Sequence, residues 1–249
     1  MGRVPHITRE YIENTSEKVL RWVNARRITE PGLSPVSEVV EKLVLRKRVA
    51  VNFNKPLGHS RRGRKILGMF LFEPPTILID PALDHNGPRF RFTLAHELGH
   101  LALHGKLDLP ADQLDSPENG IEDARQHFFF GRKRPLTQRD WLEWQANAFA
   151  AALLVPRATV RMAIAAKQKE IGVTRNRGTI FVDEQWQNRS EYGAVMSHIQ
   201  SVYQTSRTMM RVRLNTLGLL TDTRNATTSH IARHFKALFM EEENELLRV

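Results

Sequence analysis

The sequence predicts an α+β fold in which a small sheet lies beside one central helix. Three short runs rich in β-branched and aromatic residues, Val49 to Phe53, Ile66 to Phe72 and Thr76 to Asp80, follow one another closely and read as strands. Amphipathic helical patterns flank them on both sides. From Arg91 onward, Phe92, Leu94, Ala95, Leu98, Leu101, Ala102 and Leu103 crowd almost every side of one helix, which places it in the core.

Taken in chain order, Thr8 to Arg26 is the first helix, with Tyr11, Ile12, Val19, Leu20 and Val23 inward. Ser34-Pro35 opens a second, Ser as N-cap and Pro at its first position, running to about Leu45. After the strands, a turn-rich Pro81 to Pro88 leads into the central helix, and Gly105 is placed to stop it in a left-handed conformation. Gly105 to Asp123 is acidic and poor in apolar residues, and reads as an exposed insertion. Thr137 to Leu154 is helical: Thr137 and Asp140 form a capping box, and Trp141, Trp144, Ala148, Ala151 and Ala152 give an apolar face. Another helix follows Pro156 to about Ile171, then a strand-like Gly178 to Val182. Val195 to Leu220 reads as two short helices joined at Gln204-Thr205-Ser206, and Ile231 to Phe239 as an amphipathic tail helix before an acidic run. The expected division is residues 1–172 around the central helix and a mainly helical region over 173–249.

The central helix carries His96-Glu97-Leu98-Gly99-His100, a complete HExxH pentapeptide. Histidines at i and i+4 stand one above the other, about 6 Å apart along the axis, so both imidazoles can reach one Zn²⁺. Glu97 projects about 100° further round, where it can accept a proton from an activated water instead of binding the metal. Histidines on a core helix are costly to bury unless something binds them. A strand leading into such a helix is the arrangement zinc peptidases use.

A third ligand must come from elsewhere. His104 lies roughly 12 Å along the axis from His96 and cannot share a metal with both other histidines. Support of the site, substrate contact or a plain helix end remain for it, and a plain helix end is the expectation. The three-histidine form of the motif requires Gly at 103 and His at 106, where Leu103 and Lys106 stand. Among the carboxylates between His104 and Asn147, Asp140 serves its helix N-terminus. Glu143 shares a helix face with Asn147, giving a carboxylate ligand and an amide free to orient a ligand. Glu143 is the expected third ligand.

Arg91 to His100, followed by Leu103-His104, resembles the signature helix of the ImmA/IrrE metallopeptidases, and Glu143 to Pro156 is similar to their second block. In that family the Glu four residues before the Asn completes the zinc site, which agrees with Glu143. The commoner Glu two before the Asn is Gln145 here, and Val155 replaces a usual Met. The resemblance covers roughly residues 34–220 and implies a zincin-like core with a helix-turn-helix-like segment near the C-terminus. It also implies a protein substrate, a helix-turn-helix repressor whose cleavage relieves repression of stress-response or mobile-element genes.

Composition narrows the chemistry further. The 249 residues include no cysteine, so any metal site is built from nitrogen and oxygen. A His₂–carboxylate site suits Zn²⁺, with Mn²⁺ or Fe²⁺ possible by ligand type. No apolar run approaches the roughly 18–20 residues that span a bilayer, and Met1 to Arg9 lacks a signal-peptide core; the expected location is cytoplasmic. Net charge is +10, but the cations are dispersed. The densest patch, Arg61 to Lys65, reads as a solvated hairpin loop. Arg207, Arg211 and Arg213 would face phosphates if their helix entered a groove, and weak DNA binding is the most expected of them.

These readings converge on a zinc endopeptidase with His96, His100 and Glu143 as ligands and Glu97 as general base, its substrate paired with the edge of the Thr76–Asp80 strand. Tyr192, Tyr203, His198, His230 and His234 are undistinguished candidates for the oxyanion stabiliser. The alternative is a metal-containing DNA-binding or repressor-titrating regulator without proteolysis.

Overall fold

The computed structural model describes residues 7–60, 63–105, 121–122 and 137–224. Their architecture is α+β, as the sequence predicts. In order come α1 (Arg9–Asn24), a 3₁₀ turn (Ala25–Ile28), α2 (Val36–Leu45), β1 (Ala50–Asn52), β2 (Ile66–Leu71), β3 (Thr76–Ile79) and α3 (Pro88–His104). Then follow β4 (Ile121–Glu122), α4 (Gln138–Leu154), α5 (Arg157–Glu170), β5 (Ile180–Val182), α6 (Trp186–Tyr203), α7 (Arg207–Thr216) and β6 (Leu220–Asp222).

Helix starts follow local chemistry where a side-chain oxygen is available. Thr8 caps α1 through the Tyr11 amide, and Ser206 caps α7 through that of Met209. The Thr137–Asp140 capping box is present in both directions, at 3.1 and 3.0 Å. Ser34 departs from expectation. Pro35 occupies the cap position of α2, and the buried Ser34 hydroxyl donates to the Leu153 carbonyl at 2.6 Å, tying α2 to the end of α4. Gly105 departs too: its φ is −62°, so it is not left-handed. Tyr11, expected inward, is 57% exposed, whereas Ile12, Ser16 and Leu20 form the buried stripe of α1.

The main sheet has the order β1-β3-β2-β4. β1 runs parallel to β3 with Val51 opposite Ile77, and β2 runs antiparallel to β3 with Phe70 opposite Ile77. β3 is therefore interior, with neighbours on both sides, and the expectation that a substrate pairs with its edge is wrong. Strand order is a tertiary property that three short runs in sequence do not disclose. On the far side of β2, β4 pairs antiparallel with Ile66 and Gly68, a strand arising inside the stretch expected to be only an exposed insertion.

One buried apolar cluster extends from Ile12 to Leu220, drawing on both sides of position 172. The two C-terminal helices are joined at Gln204-Thr205-Ser206 as expected, but the first is not short and a strand follows the second. α6 begins at Trp186 and has 18 residues, Gln204 turns the chain with φ 48°, and Leu220–Asp222 is a strand paired in parallel with β5. Arg213, expected on a phosphate-facing surface, is fully buried. It donates to the Val155 carbonyl at 2.9 Å and forms a two-pronged ion pair with Glu13 of α1. Arg211 lies 4.0 Å from Asp222, and Arg207 stacks over the Tyr192 ring. In the basic loop, Lys65 pairs with the buried Asp80 at 3.0 Å; Arg61, Arg62 and the tail helix lie outside the described residues.

Candidate metal centre

Two helices build the site. On α3, His96 and His100 bring their Nε2 atoms within 3.0 Å of each other, both rings being buried. From α4, Glu143 places Oε2 3.3 Å from His96 Nε2 and Oε1 3.5 Å from His100 Nε2. Ligand atoms held at about 2.0–2.1 Å around one tetrahedral ion stand roughly 3.4 Å apart. The three groups thus have the spacing of a single-ion site, and they are the His/His/carboxylate cluster among the described residues.

Close approach of the helices makes this possible. A Cβ at Gly99 would lie 3.0 Å from both Cα and O of Ala146, so α3 and α4 touch backbone to backbone between the ligands. The glycine inside the pentapeptide is there for that contact. A second glycine does the same for the sheet: a Cβ at Gly68 of β2 would meet Thr93 at 2.5 Å and the Glu97 carboxylate at 2.6 Å. Phe72, just beyond β2, stands edge-on to His100 with ring centres 6.5 Å apart.

Glu97 is completely buried, and neither carboxylate oxygen has a hydrogen-bond partner among the described residues. Burial pushes its pKa up to about 8; the Glu143 charge adds to the rise and His96 opposes it. A buried carboxyl left without a donor is costly, and a divalent cation beside it would remove that cost. For His96, burial lowers the pKa, but the Glu143 carboxylate, the Glu97 charge and the Asn147 hydrogen bond outweigh it and the net shift is upward. Burial, with the charges of His96 and His104, drives His100 well below the usual imidazole value.

Each imidazole is also held from behind. His96 Nδ1 lies 3.0 Å from Asn147 Oδ1, which matches the orienting amide expected one turn after Glu143. His100 Nδ1 lies 3.1 Å from Nδ1 of His104, whose Nε2 lies 2.8 Å from Gln145 Oε1. His104 is therefore no plain helix end: it is fully buried, and burial pulls its pKa down to about 4. The i+4 spacing from His100 was the available signal. A test of metal reach alone passes over a contact between rings.

Other candidates are engaged elsewhere. The Tyr203 hydroxyl donates to Thr159 at 3.0 Å, and the buried Tyr192 ring packs under Arg207 and Arg224. His230 and His234 lie outside the described residues.

Two histidines and a carboxylate converging on one point, with a further carboxylate buried beside them, could hold one divalent metal ion. The sequence model of the peptidase M78 family, described as the IrrE N-terminal-like domain, matches residues 47–215, and the chain belongs to that family. A search of curated proteins finds no match.

Proposed function

We propose that the protein is an endopeptidase in which His96, His100 and Glu143 hold one Zn²⁺, and that Glu97 is its general base. The observation that carries this is the Glu97 carboxylate, buried and, among the described residues, without a hydrogen-bond partner, beside the three converging ligand atoms. When bound, the metal supplies Lewis-acid polarisation of the scissile carbonyl and acidifies water. The Glu97 carboxylate takes a proton from the attacking water and passes it to the leaving amine nitrogen. Asn147 holds the His96 ring, and Gly68 leaves room for the Glu97 side chain under β2. Since β3 has neighbours on both sides, its edge does not take the substrate backbone.

The substrate class follows from family resemblance: a helix-turn-helix repressor, cut to relieve repression. A site that only titrated such a repressor would have no use for a base, and Glu97 favours proteolysis on that ground.

Glu97→Gln tests the reading, assayed on the repressor-like protein encoded nearest the gene. Bound metal should stay near one per chain while cleavage falls by at least ~10²-fold, the lower end of a general base's contribution. Glu143→Ala should lose the metal itself. Undiminished cleavage by Glu97→Gln removes the base. Stoichiometric repressor binding without cleavage by the zinc-loaded wild type replaces the enzyme with a titrating module.

A further inference from the structure

We propose that Gln145 is a positioning residue which, through His104, fixes the proton of His100 on Nδ1 and so leaves Nε2 bare for the metal. This rests on the reading of His100 as a ligand, and it assigns work to two residues that the ligand set leaves unused.

Protons can be counted along three buried side chains, Gln145, His104 and His100. An amide oxygen only accepts hydrogen bonds. With Gln145 Oε1 at 2.8 Å, His104 Nε2 must carry a proton. Between His104 Nδ1 and His100 Nδ1, 3.1 Å apart, there is room for one proton only. A neutral His104 protonated on Nε2 presents a lone pair at Nδ1, so the shared proton belongs to His100 Nδ1. His100 Nε2 then points its lone pair towards His96 and Glu143.

Reversing the amide reverses every step. Gln145 Nε2 would donate to His104 Nε2, His104 Nδ1 would carry the proton, and His100 would be left with Nε2–H, which cannot ligate. A doubly protonated His104 fails in the same way, because its Nδ1–H demands the lone pair of His100 Nδ1. Metal-binding histidines ordinarily donate this second proton to a carboxylate, a carbonyl or water. Here the acceptor is another imidazole, which has no preference between tautomers until Gln145 imposes one. His96 differs, since Asn147 Oδ1 accepts from its ring directly.

The test begins with the metal-free wild type, whose imidazole ¹⁵N shifts should report His100 as the Nδ1–H tautomer and His104 as the Nε2–H tautomer. The opposite pattern overturns the proposal without any variant. Gln145→Met removes the acceptor at similar size and should mix the tautomers. It should also weaken Zn²⁺ binding, measured by competition with a chromophoric chelator, by roughly tenfold or more. Gln145→Glu keeps an acceptor facing His104 Nε2 and, at a pH where the ¹⁵N shifts show His104 singly protonated, should hold both tautomers, with affinity within a few-fold of wild type. Unchanged tautomers and affinity in Gln145→Met, or equal losses in Gln145→Met and Gln145→Glu, overturn the relay. His100→Ala separates the two levels: full metal stoichiometry in that variant overturns the ligand reading itself, whereas loss of metal there with no effect of Gln145→Met overturns the relay alone.

Discussion

Substituting Gly99 by alanine isolates the helix contact on which the metal centre depends. In an ordinary exposed helix position this change stabilises by roughly 0.5–1 kcal/mol, because glycine loses more conformational freedom on folding. At Gly99 the new methyl would stand 3.0 Å from Ala146 Cα and O and 3.3 Å from Phe149 Cβ. Carbon atoms rest at about 3.5–4.0 Å, so α4 must retreat by several tenths of an ångström. The neighbours are backbone and a buried aromatic, neither of which swings aside, and overpacking of this kind costs about 1–3 kcal/mol. Glu143 lies one turn from Ala146 and moves with it, away from two histidines whose metal distances tolerate only about 0.2 Å. The expected result is a net loss of stability and at least ~10-fold weaker Zn²⁺ binding. Gly193 in α6 is the control, since a Cβ there meets nothing within 4 Å. Gly193→Ala should raise stability, so the two variants should differ by about 2 kcal/mol in denaturant unfolding. Wild-type metal affinity and stability in Gly99→Ala would refute the close-contact account.

Two further predictions concern charge. Glu13→Ala leaves Arg213, 2% exposed at its side chain, as a buried cation without its carboxylate, and should destabilise by roughly 3–5 kcal/mol in urea unfolding; a loss below about 1 kcal/mol would show the pair to be dispensable. In the metal-free protein the raised Glu97 pKa of about 8 means that the folded state keeps a proton which the unfolded chain releases near 4.3. That stability is complete below the unfolded value and is lost as pH rises through 8; the raised His96 acts in the same sense. The lowered His100 and His104 act oppositely, mostly below about 7, so between pH 6.5 and 8 the metal-free protein should lose about 1 kcal/mol. A melting temperature that is flat or rising across that window contradicts it.

What the sequence disclosed and what it hid divide by range. The HExxH spacing, the Thr137–Asp140 box and the three strands are local patterns, and each appears near its expected place. The approach of Glu143 to the two histidines was reachable because Asn147 sits one turn away on the same helix. Ser34 was misread because a Ser-Pro pair looks like a helix start, while its true acceptor is a carbonyl 119 residues later. Arg213 looked like a surface cation because its partner is 200 residues earlier in the chain. The His100–His104 ring contact was legible in their i+4 spacing on α3, whereas His104 and Gln145 are 41 residues apart on two helices, and neither helix alone discloses that they meet.

The Glu13–Arg213 clamp also bears on which piece of the chain is self-sufficient. The matched family segment, 47–215, includes Arg213 and leaves out Glu13. α1 packs on α4, buries Ile12 and Leu20 in the common core, and reaches α5 through Glu17 and Arg157 at 2.9 Å. Excising the matched segment would strand a guanidinium in the interior and strip an apolar face from the helix that carries Glu143. The shared peptidase sequence and the cooperative folding unit therefore have different borders. α1 closes the interior over α4, and without it the recognisable part would leave that apolar face open.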